Sequence, residues 1–93
     1  MTQKVTLKGT RFSARRESDQ MGEEGPFLVA TDDLYSASVG EANTIVVGKR
    51  LLVGSLSGRY ILLSTVQEVL EVNEEKTLCR IRTRNSGYTI KSF

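Results

Sequence analysis

Thr77-Leu78-Cys79-Arg80-Ile81-Arg82-Thr83-Arg84, then Asn85-Ser86-Gly87, then Tyr88-Thr89-Ile90, is the stretch on which the reading of the fold turns. Leu78, Arg80, Arg82 and Arg84 alternate with Cys79, Ile81 and Thr83, the period of a strand with one face buried and one wet. Asn-Ser-Gly between two β-branched or aromatic runs marks a tight turn, because Asn and Gly tolerate turn geometries that other residues resist. The segment therefore predicts a β-hairpin.

The same grammar extends upstream. Thr44 to Val47, Arg50 to Val53, Tyr60 to Leu63 and Val66 to Val72 are short strand-like runs. They are separated by Gly48-Lys49, Ser57-Gly58 and Asn73-Glu74-Glu75-Lys76, all turn formers. Residues 64–72 admit two readings. Ser64 can cap a helix with Gln67 reaching back, which sets Val66, Val69 and Leu70 on one face. A bulged strand fits the same residues, since three valines resist helix and a hairpin partner follows. Five to seven short antiparallel strands with few helix signals predict an all-β fold, a small barrel of the SH3-like or OB-like type. Closure removes the two long unpaired edges that a flat meander of this size would expose.

The N-terminal part is less regular. Lys4-Val5-Thr6-Leu7-Lys8 alternates and stops at Gly9, which predicts a first strand. Residues 13–33 hold dense charge, two Gly and the only Pro, and read as one long charged N-terminal loop with a short strand after Pro26. Residues 1–93 are expected to form a single domain, since 93 residues seldom hold two cores.

Composition narrows the chemistry. The chain has no His and one Cys, Cys79, so zinc sites and the usual imidazole-assisted nucleophiles cannot be assembled within it. No catalytic residues, cofactor or metal site are expected. The surviving enzyme alternative is a carboxylate-bound Mg²⁺ or a lysine base, using Asp32, Asp33 and Glu41. One Cys forms no internal disulfide, and no apolar run comes near the ~20 residues that span a bilayer, so a cytoplasmic chain with no membrane partner is expected.

Three features carry functional expectations. Arg80, Arg82 and Arg84 on one strand face form a cationic stripe ~13 Å long at ~3.3 Å per residue, fit for phosphates unless Glu68 and Glu71 pair with it across the hairpin. At the hairpin tip, Asn85 and Ser86 can hydrogen-bond a ligand and Tyr88 can stack on a base, although the same residues also make an ordinary turn. Finally, residues 1–16 carry five basic and no acidic side chains, 17–41 seven acidic and no basic, and 42–60 three basic and no acidic. Such sorting steers charged partners unless the acidic segment folds back onto Arg11, Arg15 and Arg16.

The C-terminal half, with Gly58-Arg59-Tyr60, Ser64-Thr65-Val66 and Thr83-Arg84-Asn85-Ser86-Gly87-Tyr88, resembles short uncharacterised bacterial and bacteriophage proteins ending in a Thr-x-Asn-Ser-x-Tyr stretch. The resemblance spans residues 58–90 and implies a bacterial or phage origin without a specific activity.

The leading expectation is a non-catalytic module that binds an anionic ligand, nucleic acid or nucleotide, through Arg80, Arg82, Arg84, Asn85, Ser86 and Tyr88. The alternative is a protein-interaction module, an inhibitor or adaptor, that meets a host or partner protein through the acidic segment 17–41, with Glu17, Asp19, Glu23 and Glu24 in contact. Strand edges also leave a homo-oligomer open.

Overall fold

A computed structural model describes residues 3–93, and the chain is all-β, with ten strands among the described residues. The count exceeds the expected five to seven because the supposed loop 13–33 is largely strand. β1 is Lys4–Thr6, β2 Phe12–Arg16, β3 Gly22–Gly25, β4 Phe27–Thr31 and β5 Thr44–Val46. β6 is Arg50–Gly54, β7 Tyr60–Leu63, β8 Val66–Val72, β9 Leu78–Thr83 and β10 Gly87–Ser92. They form three antiparallel sheets: β3-β2-β10-β9-β8, β4-β6-β7, and the pair β1-β5. No helix among the described residues is long and apolar enough to cross a membrane.

Two devices make strands where composition suggested loop. β3 has no large apolar side chain and is held by its register with β2, Ser13 opposite Glu24 and Ala14 opposite Glu23. The β2–β3 turn is ordered by its charges: Arg16 grips the Asp19 carboxylate with Nε and Nη2 at 3.0 and 2.7 Å, and Asp19 also accepts the Met21 N–H. Side-chain capping of this kind replaces a hydrophobic reason for the hairpin.

β3 passes through Pro26 directly into β4, so one bent strand serves two sheets. At that corner Gly25 lies against Gly54. A Cβ on Gly25 would stand 2.4 Å from the Gly54 carbonyl carbon, so only glycine admits the approach. The main core fills the space between the five- and three-stranded sheets, with Phe12, Leu28, Leu51, Val53, Ile81 and Ile90 buried in it. The opposite face of the three-stranded sheet has its own small core, Val29 and Leu52 beneath Ala37 of a 3₁₀ segment, Leu34–Val39.

Within residues 64–72, Val66–Val72 is strand. Val66, Val69 and Val72 stand opposite Thr83, Ile81 and Cys79, so valines three apart meet partners two apart. Two register shifts in β8, between Val66 and Glu68 and between Val69 and Glu71, absorb the mismatch. The spacing that imitated a helix is thus the signature of a doubly bulged strand. After it, Asn73 Oδ1 accepts the N–H groups of Thr77 and Leu78 at 2.8 and 3.0 Å and closes the β8–β9 turn, where Lys76 takes a φ of 60°.

Gly48-Lys49 turns the chain between sheets rather than within one, since β5 pairs with β1 while β6 pairs with β4 and β7. That turn is tied to β8 by Gly48 N–H to the Val66 carbonyl and Val66 N–H to the Lys49 carbonyl, both 2.9 Å.

Candidate functional site

The face of the five-stranded sheet turned away from the core is where the sequence placed the functional residues. On β9 the predicted alternation holds: Cys79, Ile81 and Thr83 are buried and Arg80 and Arg82 point outward. The guanidiniums, however, are claimed by neighbours. Arg80 Nε and Nη2 lie 3.1 and 3.2 Å from the two Glu17 carboxylate oxygens, and Nη1 lies 3.5 Å from Glu71. Arg82 Nη2 is 3.2 Å from Glu68. The bulges of β8 bring these acids into line, setting Glu68 opposite Arg82 and Glu71 opposite Arg80. Glu17 reaches across Gly87, where even a Cβ would be in ordinary contact, 3.5 Å from the Glu17 carboxylate carbon. Its hydrogen bond, then its charge, hold the Arg80 guanidinium above its usual pKa. An arginine engaged by two carboxylates has little positive field left for a phosphate.

Arg84 differs. Among the described residues no carboxylate lies within ion-pair distance of it, and its backbone N–H donates to the Thr65 carbonyl at 3.0 Å, fixing the tip to the start of β8. The turn itself is organised by Thr83 rather than Asn85. Thr83 Oγ1 accepts from the N–H groups of Asn85 and Ser86 at 3.4 and 3.2 Å and donates to the Ser86 carbonyl at 3.0 Å. The Asn85 side chain is thereby left exposed. A recess of about 410 Å³ lies here, lined by Arg82, Arg84, Asn85 and Ser86 together with Gln67 and Thr83. It gathers four of the six anticipated ligand residues and adds Thr83 and Gly87 of the same tip and Gln67, which had no signal in the sequence because it arrives only through the first bulge of β8.

Tyr88 is a correction. β10 turns Tyr88, Ile90 and Ser92 inward, and Tyr88 is 8% exposed within the main core opposite Ile81. It has no face to offer a base. Cys79 is fully buried, and desolvation pushes its thiol up to about 11, which favours the protonated form at neutral pH.

The acidic segment is neutralised piecewise. Asp19 pairs with Arg16 at 2.7 Å, Glu24 with Arg11 at 3.7 Å, Asp32 with Lys49 at 2.9 Å and Glu41 with Lys4 at 3.2 Å. Glu17 serves Arg80, and Glu23, half-buried on β3, has no ion pair among the described residues. Sorting along the chain therefore becomes mixing in space. Among the described residues no three metal-ligating side chains converge, and Asp32, Asp33 and Glu41 do not form a cluster.

Comparison with protein-family models, with curated proteins and with solved structures finds no match to this chain.

Proposed function

We propose that this chain is a non-catalytic, cytoplasmic binding module for an anionic ligand, a nucleic acid or nucleotide, engaged at the β9–β10 tip. The observation that carries the reading is Arg84. It is the one member of the arginine series without a carboxylate partner among the described residues, and it opens on the same recess as Arg82, Asn85 and Ser86. Arg84 supplies the charge, the Asn85 amide and Ser86 hydroxyl supply directed hydrogen bonds, and Arg82 is available if Glu68 yields it. We read the scaffold as a partly rolled barrel of the OB or SH3 type, which the bent β3–β4 strand and the bonds from Val66 to Gly48 and Lys49 support. The acid-segment reading has less behind it, since Glu17, Asp19 and Glu24 are already engaged.

With one or two phosphates held, the reading predicts a shallow salt dependence. Log affinity for a single-stranded oligonucleotide should fall with log salt at a slope of roughly −0.7 to −1.4, not the steep slope that a fully exposed arginine stripe would give. Arg84→Gln should abolish most of that binding while leaving the melting curve in place. No binding of single-stranded or duplex oligonucleotide below ~100 μM at low salt would remove nucleic acid as the ligand.

A further inference from the structure

Among the described residues, further cations without carboxylate partners stand at the other end of the same face. On β2 and β10, Arg15 stands directly opposite Thr89 and Ser13 opposite Lys91. Arg15 Nη1 donates to the Gly22 carbonyl at 3.2 Å and meets no carboxylate within ion-pair distance among the described residues. Lys91, exposed, likewise has no ion pair among them. Both line a recess of about 460 Å³ with the Ser13 and Thr89 hydroxyls, the Gln20 amide, Glu24 and Phe93. Glu24, the one acid in the lining, is turned to Arg11 at 3.7 Å.

Phe93 is the unusual member. It is 64% exposed, on the same side of the strand as Thr89 and Lys91. Leaving a phenyl ring in water is unfavourable, yet its backbone is pinned: the Phe93 N–H donates to the Arg11 carbonyl at 2.8 Å, and its own carbonyl accepts the Thr10 N–H at 3.0 Å. An aromatic side chain on a pinned backbone, beside two cations without carboxylate partners among the described residues and three neutral hydrogen-bonding groups, suits a ligand that carries both a ring and a negative charge.

We infer that this recess is a second binding site, distinct from the tip, for a small aromatic anion of the nucleoside monophosphate class. The phosphate takes Arg15 and Lys91, with hydrogen bonds from Ser13 and Thr89, and the base lies against the Phe93 ring. The site does not depend on the tip: the two recesses share no lining residue, and Arg80, opposite Thr89 on β9, is held by Glu17 and Glu71 and offers no free charge to either.

The test is a two-dimensional NMR titration of the full chain with adenosine 5′-monophosphate, adenosine and inorganic phosphate in parallel. The monophosphate should shift the amides of Ser13, Arg15, Thr89 and Lys91 and bind more tightly than either fragment. Lys91→Gln should weaken it about tenfold, the size of one charge-assisted contact. Phe93→Leu should weaken the monophosphate but leave inorganic phosphate unchanged, and Arg84→Gln should alter neither. Lys91 and Phe93 are exposed, so both variants keep the fold, whereas Arg15 also braces the β2–β3 hairpin. No shift at those four amides up to 10 mM monophosphate overturns the proposal. Shifts confined to residues 83–87, or equal affinity for phosphate alone with Phe93→Leu silent, overturn it as well.

Discussion

The three-stranded and five-stranded sheets solve the burial problem in opposite ways. In β6 the consecutive residues Leu51, Leu52 and Val53 are all fully buried, one face against the main core and the other under the 3₁₀ segment. In β9, burial skips every second residue, and the skipped positions carry Arg80 and Arg82. A sheet covered on both faces reads as an apolar run, and a sheet covered on one face reads as alternation. Only the second kind has a face left over for chemistry, and here most of that face is spent on internal ion pairs. Among the described residues, pairing on that face stops at Arg84 and at Arg15 with Lys91, where the two proposed sites lie.

The sharpest way to break this contrast is at the corner where the two sheets meet. Gly25→Ala would press a methyl group into the Gly54 backbone, and its cost should be among the largest of any single substitution, above ~4 kcal/mol. A denaturation midpoint close to that of the unaltered protein would mean the sheets do not cross there.

Paired truncations probe the two sheets themselves. Leu51→Ala and Leu52→Ala should each cost about 2–5 kcal/mol, since neighbours in β6 are buried on opposite faces. In β9, Ile81→Ala should cost as much, while Arg82→Ala should cost under ~1 kcal/mol. Urea unfolding of the four variants decides it, and a mild Leu52→Ala would show that the 3₁₀ segment covers nothing of consequence.

The smallest effect belongs to the β2–β3 turn. The hydrogen bond from Arg16, with the Met21 N–H adding to it, holds the Asp19 carboxyl below its usual pKa of 3.8. A depressed folded-state pKa contributes stability that is present above the unfolded value and lost as the pH falls through the folded one. Asp19→Asn should therefore lower stability slightly at neutral pH and flatten the decline of stability below about pH 4. The group is exposed, so the difference is small, and thermal melts from pH 2 to 7 should show it converging to nothing at the acid end.

The β9–β10 hairpin was legible in the sequence because alternation and turn chemistry are local. β2 alternates Phe12 and Ala14 with Ser13 and Arg15 over too few residues to stand out, while β3, Gly22-Glu23-Glu24-Gly25, has no apolar signal and depends on its register with β2 and an Arg16–Asp19 clamp. Of the anticipated ligand residues, Arg82, Arg84, Asn85 and Ser86 share a recess, whereas Tyr88 faces the core. Period two puts Tyr88 in phase with Ile90, and both face the core.

What the amino-acid order determined alone is the kind of element: strands from period two, turns from Asn and Gly, and the absence of imidazole chemistry. Which charges stay unclaimed was decided only by folding, because an ion pair depends on distance between strands far apart in the chain. Arg80 and Glu17 are separated by 63 positions and meet across the bare backbone of Gly87. No reading of either neighbourhood contains that meeting, since a Coulomb interaction is set by separation in space.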